Sequence, residues 1–184
     1  GKSTTAVNLC YTLAQSGKRV LLIDADMRLP TIHTKLDLSH AAPGLSNLLA
    51  GLCEDKESLR VSRFFNNWYI MPAGDIPPNP SELLGSERMQ ALLEGLRKYY
   101  DFIILDLPPV TAVTDALVAS KLVDGMVVVV RNNHAVRGAL AETIRQLKLV
   151  DARILGFAFN GATESGSGYY KGKKYYKKYY YYQK

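Results

Sequence analysis

Short runs of consecutive apolar residues alternate with stretches of helical periodicity along most of this chain. The pattern predicts a helix from about Ser3 to Gln15, a strand at Val20–Ile23 and another at Trp68–Met71. It then predicts a helix at Glu82–Tyr99, a strand at Phe102–Leu105, a helix at Asp115–Leu122, a strand at Met126–Val130, a helix at Arg137–Val150 and a strand at Ile154–Phe159. Such alternation points to an α/β fold of three layers, a mostly parallel sheet with helices on both faces. The runs Val20–Ile23 and Val127–Val130 are apolar at every position, as strands covered on both sides are. Trp68 and Tyr69 read as core. In open α/β sheets ligands bind beyond the carboxyl ends of the strands, so the residues that follow each apolar run are the candidates for chemistry.

The 184 residues suit one domain, and the longest apolar run, Met126 to Val130, is far short of the ~18 residues of a membrane-spanning helix. Cys10 and Cys53 make neither a disulfide framework nor a zinc motif, and His33, His40 and His134 fall at no metal-ligand spacing. The expected setting is reducing and cytoplasmic. Charge is unevenly placed: Lys171, Lys173, Lys174, Lys177, Lys178 and Lys184 lie in a terminal stretch without acids, so the formal +6 belongs to that stretch alone. Eight of the twelve tyrosines lie there too, at Tyr169, Tyr170, Tyr175, Tyr176, Tyr179, Tyr180, Tyr181 and Tyr182, behind a Gly, Ser, Thr and Glu stretch from Gly161 to Gly168. The organisation expected is a catalytic-type domain over 1–160 and a flexible linker and tail over 161–184.

Gly1-Lys2-Ser3-Thr4 running into a helix is the pattern in which a phosphate-binding loop ends. Backbone N–H groups and the lysine face phosphates there, and the serine hydroxyl ligates Mg²⁺ at the helix N-terminus. Acids follow two apolar strands: Asp24 and Asp26 after Val20–Ile23, and Asp106 after Phe102–Leu105. Carboxylates in such places hold Mg²⁺ directly or through water; each is also an ordinary turn or helix-cap residue. If strand geometry continues to Asp26, the two acids share one side of the sheet. Arg28 either contacts phosphate or pairs with a neighbouring acid.

Gly1–Thr4, Leu22–Pro30 and Ile104–Pro109, with Asn79–Ser86 and the tyrosine cluster, resemble the bacterial tyrosine autokinases of capsule and exopolysaccharide synthesis. The three segments resemble that family's Walker A, A′ and B motifs, and the resemblance implies a P-loop NTPase-like fold that uses ATP and Mg²⁺. It implies that Gly1, Lys2, Ser3, Thr4 and Arg28 form the nucleotide site and that Lys2 binds phosphate. Ser3, Asp26 and Asp106 are then the metal positions, while Asp24 and Asp26 serve the incoming tyrosine. A tyrosine hydroxyl, with a pKa near 10, needs a carboxylate to orient it or take its proton, and Asp24 is the candidate. The eight tail tyrosines are the expected phosphoacceptors, on a segment of 24 residues that spans roughly 80 Å when extended, enough to reach a neighbouring subunit. The implied partners are further copies of the chain, protein tyrosine substrates and a membrane activator, separate or fused, which brings the kinase to the inner face of the membrane. Nucleic acid is not expected.

The chain opens on the last residues of the loop, so the natural protein is expected to extend upstream through the rest of the loop and the strand that feeds it. Without that strand, nucleotide binding is expected to be poor and folding marginal. The competing reading is a partition or positioning ATPase whose basic tail touches nucleic acid or membrane; a third is a non-catalytic adaptor. Asn132 and Asn160 either meet the adenine or sit in turns, and Pro108, Pro109 and Asp115 form either a γ-phosphate-sensing loop or a turn and helix cap.

Overall fold

In a computed structural model, residues 1–39, 43–132 and 137–161 are described. Residues 162–184, with all eight tail tyrosines, and also His40 and His134, lie outside the described residues. Six strands are present there: β1 (Val20–Asp24), β2 (Arg60–Val61), β3 (Trp68–Met71), β4 (Phe102–Asp106), β5 (Met126–Arg131) and β6 (Ile154–Asn160). Eight helices connect them: α1 (Lys2–Gln15), α2 (Ile32–Leu36), α3 (Leu45–Ala50), α4 (Asp55–Ser58), α5 (Pro80–Leu84), α6 (Glu87–Leu96), α7 (Asp115–Ala119) and α8 (Arg137–Leu149). One sheet has the order β2-β3-β1-β4, with β1 parallel to both neighbours and β2 an antiparallel edge; β5 and β6 form a separate parallel pair.

Strand β1 is buried at all five positions because it carries two cores at once. Leu21 and Ile23 face one side, with Leu45, Met71, Leu84, Met89 and Leu93. Val20 and Leu22 face the other, where α1 lays Ala6, Cys10 and Ala14 beside Trp68 and Ile70. Those three helix positions recur every four residues and are small, so α1 lies close against β1 and β4. Burial pushes the Cys10 thiol up to about 12, so it acts there as a small apolar residue.

Several expectations are corrected. The helix expected at Glu82–Tyr99 is two helices, because Gly85 closes α5 and the Ser86 hydroxyl accepts from the Met89 amide at 3.2 Å to cap α6. Full cover on both faces holds for β1 and fails for β5 and β6. Val127, Leu155, Phe157 and Phe159 are more than half exposed, because no third strand joins the β5–β6 pair among the described residues and α8 buries only Leu147. Residues 31–60, for which no element was expected, hold α2, α3 and α4, all of six residues or fewer.

The loop after β3 is locked to the start of α3. The Leu45 amide donates to the Pro72 carbonyl at 2.8 Å, Asn47 Oδ1 accepts from the Gly44 and Asp75 amides, and a side chain on Gly44 would overlap the Pro72 carbonyl oxygen. Gly44→Ala is therefore expected to cost about 1–3 kcal/mol through overpacking, read as a lower urea midpoint at unchanged slope.

Candidate active site

The register of β1 on β4 is the starting point: Val20 pairs with Phe102, and each step along brings the strands to Asp24 opposite Asp106. Neighbouring strands lie ~4.8 Å apart, so two acids from segments about eighty residues apart in sequence become neighbours at the carboxyl edge of the sheet. Both are buried, at 0% and 3% exposure. Burial, with the Asp106 charge beside it, pushes the Asp24 carboxyl up to about 7 despite hydrogen bonds from the Ile32 and Asp26 amides. Burial also raises Asp106, against the opposing pull of a Ser3 hydrogen bond and the Lys2 charge.

Asp24 organises the loop that follows it. Its Oδ2 accepts from the Thr31 and Ile32 amides at 3.2 and 3.0 Å, and its Oδ1 accepts from the Asp26 amide at 3.3 Å. Strand geometry ends at Asp24, so the period-two expectation for Asp26 does not apply. Asp26 instead opens a turn, its Oδ1 accepting from the Leu29 amide at 3.1 Å, and stays half-buried near Asp106. The loop returns to the helix end: Thr31 Oγ1 donates to Ser3 Oγ at 3.0 Å, and Ser3 lies beside Asp106.

Residues 1–4 thus meet the acids where α1 begins. Gly1 precedes the helix; Lys2 and Ser3 are half-buried in its first turn and Thr4 is exposed. That turn contains no acid, which leaves its N–H groups and positive dipole end available to an anion. A Cβ on Gly1 would lie 2.5 Å from Asn160 Nδ2, so the end of β6 borders the same place. The Asn132 amide donates to the Asn160 carbonyl at 2.8 Å, which continues the β5–β6 pairing by one residue.

Among the described residues, the buried side-chain polar atoms without a hydrogen-bond partner are Asp106 Oδ2 and Trp68 Nε1. An orphaned carboxylate oxygen, with the Ser3 hydroxyl and Asp26 near it, offers hard oxygen donors that suit Mg²⁺. The same residues include no cluster of three or more His, Cys, Asp or Glu able to hold a metal by themselves.

Of the two alternatives for Arg28, pairing with an acid is the one present. Its Nε and Nη2 fork onto Asp115 Oδ2 and Oδ1 at 2.9 and 3.0 Å, and Nη2 also reaches Ser81 Oγ at 3.2 Å. Asp115 is no helix cap: Thr114 holds the cap position of α7, and the Asp115 carboxylate is wholly buried. Burial pushes Asp115 up, but the Arg28 and Ser81 hydrogen bonds outweigh it and hold the group below the ordinary value. Pro109 does form a turn, accepting from the Ala112 and Val113 amides. Thr31 was not singled out in the sequence, and Ser81 entered only as part of the run Asn79–Ser86; neither residue names its partner without the fold.

The sign of the Asp24 shift fixes a pH dependence. Below its unfolded value of 3.8 both states are protonated. Between there and about 7 the folded state alone keeps the proton, so stability falls as pH rises and levels off above. Asp24→Asn is expected to flatten that slope in the metal-free protein, compared by urea midpoints at pH 5 and pH 8; an unchanged slope would refute the assignment.

A profile of the family described as AAA domain matches residues 1–155. The tyrosine-protein kinase YwqD of Bacillus subtilis (strain 168) is 38% identical over 173 residues, which is 92% of this chain and 72% of that protein. The kinase domain of the Escherichia coli tyrosine kinase ETK superposes with a TM-score of 0.81 at 34% identity, covering 90% of this chain and 64% of that one. The septum site-determining protein MinD of Pyrococcus horikoshii OT3 superposes with a TM-score of 0.71 at 24% identity, over 89% and 67% of the two chains, a likeness of fold alone. With P-loop motifs converging on one sheet edge and relatives of this identity and cover, the chain belongs to the AAA-domain family and, within it, to the bacterial tyrosine-protein kinases.

Proposed function

We propose that this chain is the catalytic domain of an ATP-dependent protein-tyrosine autokinase. It transfers the γ-phosphoryl group to tyrosines of the 169–182 cluster on a neighbouring copy, in the control of capsular or exopolysaccharide synthesis and export. The observation that carries the reading is the buried, unpartnered Asp106 Oδ2 beside Ser3 and Lys2 at the start of α1. Such an oxygen is costly to leave without a partner and is explained by a cation that the site is built to receive.

The α1 amides at Gly1–Thr4 and the Lys2 ammonium hold the phosphates. Ser3, Asp106 and Asp26 are the residues that would hold Mg²⁺, which supplies positive charge against the oxygens of the transferring group. Burial, with the Asp106 charge beside it, raises the Asp24 carboxyl to about 7 in the absence of metal, which suits a proton acceptor for the tyrosine hydroxyl. Asp24 is wholly buried under the loop whose Thr31 and Ile32 amides it holds, so the hydroxyl reaches it only when that loop moves aside. The forked face of Arg28 is committed to Asp115 and is not free to hold a phosphate. A membrane-bound activator, separate or fused, places the kinase at the inner face of the membrane. Among the described residues no helix is long and apolar enough to cross a membrane, so such an anchor has to come from outside them.

Intact-mass measurement of the full-length protein with its activator, after incubation with Mg-ATP, is expected to show additions of about 80 Da each, mapped to the tail. Lys2→Met and Asp106→Asn are each expected to lower the rate by about 10²-fold or more. Phosphate release without added mass would overturn the kinase reading in favour of a positioning-type ATPase.

A further inference from the structure

The Arg28–Asp115–Ser81 cluster lies beside the phosphate site and is not accounted for by it. Asp115 is 0% exposed, yet it is ionised and satisfied: Arg28 grips both oxygens, and the Ser81 hydroxyl donates to Oδ1. Ser81 Oγ lies 3.3 Å from Thr114 Oγ1, which ties α5 to the start of α7. The Arg28 side chain is 39% exposed, so it covers the buried acid while its own outer face meets solvent. A two-point guanidinium–carboxylate pair fixes direction as well as distance.

The place of this pair in the chain gives it a further consequence. Arg28 sits inside the turn that Asp26 opens. Asp115 ends the segment that begins at Asp106, after the Pro109 turn. The two acid-bearing loops, one after β1 and one after β4, are thus joined once by the strand register and again by this pair. We propose that Asp115, supported by Ser81, is a positioning residue for phosphoryl transfer, which grips Arg28 and so sets the Asp26 carboxylate relative to Asp106 for the metal. This inference rests on the magnesium-nucleotide reading above. Asp115 itself touches neither phosphate nor metal; it acts through Arg28.

The test uses the full-length protein with its activator and the variants Asp115→Asn, Arg28→Lys and Ser81→Ala, with two readouts. The first is amide hydrogen exchange of residues 25–32 in protein free of metal and nucleotide. The second is the Mg²⁺ concentration for half-maximal binding of a fluorescent ATP analogue. Exchange in 25–32 is expected to quicken by about 10-fold in Asp115→Asn and Arg28→Lys, with other segments little changed. The Mg²⁺ requirement is expected to rise by about 10-fold, as when a partner behind a metal ligand is lost, while affinity at saturating Mg²⁺ stays near that of the wild type. Ser81→Ala, which keeps the ion pair, gives a smaller change in the same direction and carries the test if Asp115→Asn does not fold. Unchanged exchange, or a loosened loop with an unchanged Mg²⁺ requirement, overturns the positioning role. A wild-type protein that binds no magnesium nucleotide overturns the kinase reading itself, and is told apart because it fails before any variant is compared.

Discussion

The parallel register that sets Asp24 opposite Asp106 is the constraint on which the site depends. Two carboxylates on adjacent strand ends, both buried, lose hydration, and each has a like charge near it, Asp106 beside Asp24 and Asp26 beside Asp106, which is why both resist ionisation. The surrounding chain is arranged to offset this. Three backbone amides turn toward Asp24, and Ser3 and Lys2 attend Asp106. The path of residues 25–32 follows from the first of these, since the loop must curl back to bring the Thr31 and Ile32 amides to Asp24. Once curled, it delivers Thr31 to Ser3 and Arg28 to Asp115. Site geometry is in this sense a continuation of the β1 core, in which alternate side chains already commit the strand to one position and one register.

The parts of the fold that were legible in the sequence are those whose signals are local. The apolar runs of β1, β3 and β4 and the period of α1 each announce themselves, and so do the acids that end β1 and β4. The three helices between residues 31 and 60 are too short to carry a periodicity; α2 and α3 exist because Ile32, Leu36, Leu45 and Leu49 are buried by distant partners, and α4 buries only Ser58. The break between α5 and α6 was written in Gly85-Ser86, but an otherwise continuous helical pattern hid it. Within the site, convergence of Lys2, Ser3, Asp24, Asp26 and Asp106 could be read from motif spacing and the rule of strand ends. The partner of Arg28 could not, because an acid 87 positions away is chosen by packing of α5 against α7 and leaves no local trace.

Phosphoryl transfer to water and to a tyrosine both start from a nucleotide held by a lysine, a helix N-terminus and metal-binding carboxylates. What separates these chemistries is the acceptor that reaches the acids, and here charge is informative. With the six tail lysines set aside, seventeen basic residues balance seventeen acidic ones, so the excess of +6 belongs wholly to the segment that carries the eight tyrosines. Lysines between the tyrosines favour approach to a site holding buried carboxylates and nucleotide phosphates. Each phosphate added to the tail contributes about −1.5 to −2, so about three or four of them cancel the excess and further ones reverse its sign. On the kinase reading the tail is drawn in while unmodified and repelled once modified. On that reading the positive charge that favours approach of the tail falls with each phosphate it accepts.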